Sequence, residues 1–226
     1  MSLKILLLDE LQGFAKSKIT IILWVGLPVL SILVNFLTAP DFSPILTYLT
    51  TVVATSIAGA LGSVMLSTSI TSEMNKHVYD LFLIRPVKRR SIIIAKYVAV
   101  YACLIAAVFI AIGTSKIIDA IRNVELPEFL VEQVTESIIT VFFAVAITCS
   151  FGTLFGIVMK SVAGSALLSL YVGNQASAML TLVIPLISTM FEQEFGITFP
   201  VDPFAISMLI GLGVSIGMFV LALAVF

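Results

Sequence analysis

Charge is what this chain has least of. Of its 226 residues 11% are Asp, Glu, Lys or Arg and 60% are hydrophobic, where a soluble domain is about 25% charged. Mean hydropathy is +1.17. So little charge cannot cover a water-facing surface of this size, which excludes a soluble globular protein. A net charge of −1 leaves no concentrated basic surface, which excludes nucleic acid as a partner. Cys103 and Cys149 are the two cysteines, both within apolar runs, and His77 is the one histidine. The cysteines read as small buried thiols and His77 as a solvated loop residue, so neither a disulfide framework nor a metal site is expected. Ionisable groups are missing from the middle of the apolar runs. That excludes an intramembrane serine-histidine or paired-aspartate site, and it argues against a proton- or sodium-coupled carrier. No Gly-x-x-x-x-Gly-Lys-Ser/Thr sequence occurs; Gly156 and Lys160-Ser161 are wrongly spaced to cradle ATP phosphates. No catalytic residue and no cofactor bound by this chain is expected. Met1 to Lys18 mixes charges with leucines and lacks a cleavage site of small residues, so it does not read as a signal peptide.

What is present is a series of apolar runs. Six can be read, at 19–37, 44–70, 91–115, 136–159, 162–190 and 204–226, each near the roughly 20 residues a helix needs to cross hydrocarbon. A membrane barrel would show short alternating segments instead. The expected fold is therefore an all-α membrane protein, one transmembrane domain over 1–226 with six transmembrane helices. Residues 1–18 read as an interfacial helix, with Leu3, Leu7, Leu11 and Phe14 on its apolar face and Lys4, Gln12 and Lys16 polar. Residues 71–90 form the main loop on the opposite side from the loops around 116–136 and 191–203.

The basic residues orient this topology. Lys4, Lys16, Lys18, Lys76, Arg85, Lys88, Arg89, Arg90, Lys96 and Lys160 fall on one side, and only Lys116 and Arg122 on the other. Lys and Arg collect on the cytoplasmic side, so both termini are expected inside a cell (plasma) membrane, with Lys88, Arg89 and Arg90 as a topology anchor. A basic tail is expected beyond Phe226. Polar residues within the runs, Asn35, Asn174 and Gln175, are costly in lipid unless paired, and read as interhelical or pathway groups. Gly152-x-x-x-Gly156, Gly213-x-x-x-Gly217 and the stripe Ser56, Gly59, Ala60, Ser63 read as packing faces, within the chain or between copies. Pro28 and Pro185 lie inside runs and are expected to kink them.

Within the 71–90 loop, Ser72 reads as an N-cap with Glu73 in the first turn. Met74, Val78, Leu81 and Phe82 would share one face of a short helix that Arg85-Pro86 ends. The loop reads Ser72-Glu73-Met74-Asn75-Lys76, then Asp80-Leu81-Phe82-Leu83-Ile84-Arg85-Pro86-Val87-Lys88-Arg89, then Ala95-Lys96. With six spans and an N-terminal interfacial helix, this resembles the membrane permease subunit of type-2 ABC transporters (the ABC-2 family). The Glu, the hydrophobic run, the Pro-Val-Lys turn and the final Lys match. Val78-Tyr79 stands where the family often has Gly-Thr, and Ala95 stands for Gly. The resemblance implies a coupling helix, with Glu73, Met74, His77, Val78, Leu81, Phe82 and Arg85 docking on a separate ABC ATPase subunit that binds ATP and Mg. It also implies a second permease copy or homologous permease, and export rather than import. The rival expectation is an ATP-independent channel, carrier or scaffold in the lipid bilayer, in which the same loop is only a topology anchor.

Overall fold

A computed structural model describes residues 3–37, 46–76, 89–121, 128–179 and 203–226. Every element among them is helical: α1 (Leu3–Ala15), α2 (Lys18–Leu37), α3 (Leu46–Asn75), α4 (Arg89–Ile121), α5 (Glu128–Val158), α6 (Val162–Ala178) and α7 (Pro203–Val225). Among the described residues four helices are long and apolar enough to cross a membrane, over Thr50–Asn75, Arg90–Ile121, Val134–Val158 and Phe204–Val225. A fifth is added if α1 and α2, bent by 61° at their junction, form one span. Several long apolar helices make this a membrane-embedded protein by composition. The run expected to end at 190 is described through Met179, so its full length and Pro185 lie outside the described residues.

Two helix boundaries differ from expectation. α3 continues without a break through Ser72 and Glu73 to Asn75, so Ser72 does not cap a new helix. It lies in the last turn of α3, reached by propagation, which adds one hydrogen bond per residue and needs no fresh nucleus. At the other end, α4 runs through Lys116 to Ile121 and α5 starts at Glu128, directly after Pro127. The loop expected over 116–136 is thus largely taken up by helix extensions. At 33 residues α4 is about 50 Å long, so it projects beyond a hydrocarbon core of about 30 Å.

α3 and α5 form the centre. α6 packs against both, α7 against α5, and α4 against α3 and α5, while α1 and α2 lie on α4. Small residues set the close approach of α3 to α5. A Cβ on Gly152 would fall 2.6 Å from the Ser63 backbone oxygen, and one on Gly156 3.0 Å from Ser67 Cα. Gly59 opposes Thr148 and Gly62 opposes Cys149 on the same seam. Gly213 and Gly217 have nothing within 4 Å, so the second glycine pair packs on no described part of this chain. Both cysteines are free and buried.

Hydroxyls replace charge as the polar glue between helices. Ser169 Oγ lies 2.9 Å from Ser67 Oγ, Thr71 Oγ1 lies 2.9 Å from the Gly156 carbonyl oxygen, and Ser150 Oγ lies 3.0 Å from Ser215 Oγ. Tyr97 and Tyr101 on α4 donate to the Ala146 and Phe142 carbonyls of α5. Trp24 Nε1 donates to the Cys103 carbonyl, tying α2 to α4. With no water in the hydrocarbon, such pairs are the way polar groups are accommodated.

Candidate functional site: a buried ion pair under the first helix

The buried face of α4 repeats at helical spacing through Ile92, Ile93, Ala99, Val100, Cys103, Leu104, Ala107, Val108 and Ala111. Lys96 occupies a position in that stripe. It is the eighth residue of the helix, about 10 Å along its axis, and its side chain is 2% exposed. An ammonium cannot stay there unpaired, because removing it from water costs several kcal/mol. α3 supplies the partners. Glu73 and Ser69, one turn apart, face the same side; Lys96 Nζ pairs with the Glu73 carboxylate and donates to Ser69 Oγ at 3.0 Å. Ser69 Oγ in turn donates to Glu73 Oε1 at 3.1 Å. The three groups close a triangle across the α3–α4 seam, and Glu73 keeps 29% of its side chain exposed.

The same end of the bundle is fastened elsewhere. Asn75 Nδ2 donates to the Lys160 carbonyl at 2.8 Å, tying the last residue of α3 to the turn between α5 and α6. In that turn Ser161 caps α6, its hydroxyl accepting from the Gly164 amide at 3.3 Å. Where the loop leaves α3, then, the helix end is held on two sides.

α1 closes over this region. The apolar face expected to lie on the membrane is turned in part against the protein: Leu7, Leu11 and Phe14 are half-buried beside a buried Leu6, with Leu7 and Phe14 packing on the core, while Ile5 and Leu8 are exposed apolar residues. The reason is that α1 has a protein surface, α4, to bury against as well as a membrane. Turning that way brings Glu10, between Leu6 and Phe14 on the helix face, inward. Between α1 and α3 lies a cleft of about 490 Å³. Glu10, Ser17, Thr68, Ser69, Ser72, Glu73 and Lys96 supply its polar lining, and Gly13, Phe14, Ile19, Met65 and Val162 its apolar lining. Burial pushes the Glu10 carboxyl above the usual carboxylate range; Lys96 opposes that shift, and the charges of Glu73 and Asp9 add to it.

Of the residues singled out in the sequence, the structure brings Glu73 to the site. Met74 is half-buried and packs on the chain's own core. His77, Val78, Leu81, Phe82, Arg85 and Lys88 lie outside the described residues, and Arg89 and Arg90 open α4, with Arg90 exposed. Asn174 and Gln175 stand exposed on α6, away from the cleft lining. Asn35 lies on α2, its side chain outside the described residues. Lys96 and Glu10 were missed as site residues. The readable signal was a lysine in register with the apolar stripe of α4. Among the described residues no cluster of three or more His, Cys, Asp or Glu could hold a metal ion. Compared with models of protein families and with curated proteins, the chain matches none.

Proposed function

We propose that this chain is the permease subunit of an ATP-driven transporter of the ABC-2 kind, an exporter, energised by a separate ATPase subunit that docks on residues 71–90. The observation that carries the proposal is the Glu73–Lys96–Ser69 triangle. Residues 76–88 join α3 to α4, and the triangle bolts those two helices together where that connection attaches. A partner that displaced the loop would therefore move two long helices as one lever, and the motion would bias the states of a pathway beyond them. α4, about 50 Å long, would carry the displacement across the bilayer. The match of Glu73, Pro86-Val87-Lys88 and Lys96 to the ABC-2 loop supports the same reading, since both ends of that pattern meet in one ion pair.

In this reading the Lys96 end of the bundle is cytoplasmic, together with both termini, as the ten basic residues on that side favour. A second copy of the permease covers the outward face of α6. There Asn174 and Gln175, with Tyr171 at 66% exposed, stand out of a helix otherwise apolar on that side. Amides facing lipid are unfavourable, whereas amides facing a second copy can pair. ATP and Mg belong to the ATPase subunit.

Purification of the chain from its native cells in gentle detergent, with mass spectrometry of what accompanies it, tests the proposal. A stoichiometric ATPase subunit, lost on Phe82→Asp while the permease stays inserted, is the expected result. Phe82 is the cleaner site than Met74, which packs on the chain's own core. Recovery of the chain alone, or with partners that bind no ATP, would overturn coupling and leave the loop as a topology anchor.

A further inference from the structure

The ion pair leaves one carboxylate of the cleft, Glu10, without an ion-pair partner of its own among the described residues, with the Lys96 charge acting on it from a distance. Lys96 points its ammonium at Glu73 and Ser69, so the one cation among the described lining residues is already engaged. Glu10 forms no hydrogen bond or ion pair with any described residue, although α1 turns it inward into the cleft. Among the described residues the cleft therefore carries two carboxylates against one ammonium, with the surplus negative charge on Glu10. Thr68 and Ser72 place hydroxyls on the α3 wall, and Phe14 and Met65 place apolar surface beside them. A cavity of about 490 Å³ is within the range for a small amphiphile, and a mixed wall of this kind suits a molecule with one charged end.

We propose that the cleft between α1 and α3 binds the ammonium group of an amphiphilic primary amine, with Glu10 as its counter-ion and Phe14 and Met65 against its apolar part. The proposal goes beyond the transporter reading and needs no ATPase. The sign of the charge follows from the surplus carboxylate, which repels anions. A single charge follows from Lys96, whose ammonium in the same wall opposes a divalent metal. An ammonium offers three donors, enough for Glu10 together with the Thr68 or Ser72 hydroxyl. A cation beside Glu10 also favours the ionised carboxylate, opposing the effect of burial on it. The amine could be a lipid headgroup or a free amphiphile, and the test separates the two.

The detergent-solubilised chain is examined by native mass spectrometry with phosphatidylethanolamine, its N-acetylated form of the same chain length, and octylamine as probes. Wild type should retain phosphatidylethanolamine in preference to the N-acetylated lipid. Glu10→Gln should weaken retention by about tenfold or more, the usual weight of a charge-assisted hydrogen bond. Glu10→Asp, which keeps the charge, and Asp9→Asn, which removes an exposed neighbouring charge, should both retain it. Trp24 fluorescence, reporting the α2–α4 contact, checks that each variant is folded. Displacement of the lipid by octylamine would make a free amphiphilic amine sufficient, while retention of the lipid alone would assign the headgroup. Equal binding of the acetylated lipid, undiminished binding by a folded Glu10→Gln, or no amine adduct on wild type would overturn the proposal.

Discussion

Glu73→Gln removes the anion that answers Lys96 and keeps nearly the same shape, so it isolates the energetics of the buried ammonium. Lys96 is 2% exposed and keeps only neutral acceptors, Ser69 Oγ and the Gln amide oxygen, once the carboxylate is gone. Breaking a buried pair from one side costs about 3–5 kcal/mol, and the loss here should lie near the lower end, about 3 kcal/mol, because the Gln amide oxygen can still accept. Lys96→Met orphans the other partner, but Glu73 is 29% exposed and can recover water, so about 1–2 kcal/mol is expected. The double variant leaves no unpaired charge. It should lose no more than the Lys96 single, making the cycle non-additive by about 3 kcal/mol. The measurement is reversible unfolding in mixed micelles of rising dodecyl sulfate content, followed by far-ultraviolet circular dichroism and by the sole tryptophan, Trp24, whose indole is bonded to the Cys103 carbonyl. Equal losses in the two single variants, adding in the double, would refute the reasoning. Such a result would mean that Lys96 reaches water in solution and that the α3–α4 ends are not bolted by charge.

Gly152→Ala should cost about 1–3 kcal/mol in the same titration, since its methyl would meet Ser63 backbone at 2.6 Å, whereas Gly213→Ala and Gly217→Ala, with open space beside them, should leave the monomer's stability unchanged. The raised Glu10 carboxyl holds its proton to a higher pH in the folded state than in the unfolded state. Stability should therefore fall as pH rises through that window, and Glu10→Gln should abolish this part of the pH dependence when melting is followed from acid to neutral pH. With both native cysteines replaced by alanine, Lys116→Cys should be labelled by an impermeant maleimide in intact cells and Lys160→Cys only in inverted vesicles; the reverse pattern would invert the proposed orientation. Asn174→Leu with Gln175→Leu should shift the purified chain from dimer toward monomer in light scattering if a second copy covers α6, and should leave its mass unchanged if lipid does.

The helical class and four of the six apolar runs, those at 44–70, 91–115, 136–159 and 204–226, were legible in the sequence because both depend on local composition. A run of some 20 apolar residues has few alternatives in lipid, and Gly152-x-x-x-Gly156 was readable as a packing face before its partner, Ser63 and Ser67, was known. The ends were less legible. Ser72 has the chemistry of a cap, yet α3 continues to Asn75, because Thr71 finds partners on α5 and α6 and Asn75 one on the turn between them, which keep the helix going. Such long-range partners leave no local mark. The facing of α1 was hidden for the same reason: an apolar stripe shows how wide a buried face is, but not whether lipid or protein covers it.

Lys96 shows where the counting of charges misleads. A tally of basic residues by side treats each lysine as a solvated cation at a loop, and Lys96 lies close enough to the cluster at 85–90 to be absorbed into it. The periodicity of α4 says otherwise. Ile92 and Ile93 lie one turn before it and Ala99 and Val100 one turn after, so residue 96 falls on the buried face whatever its identity. A charge forced onto such a face requires an acid at matching depth on a neighbouring helix. Of the acids the sequence places on the same side as Lys96 in the proposed orientation, Asp9, Glu10, Glu73 and Asp80, only Glu73 extends from a span preceding α4 by a short connection. The pair was therefore within reach of the sequence, given the antiparallel neighbour relation of α3 and α4. Glu10 was not, because its inward turn depends on how α1 settles against a helix some 80 residues away.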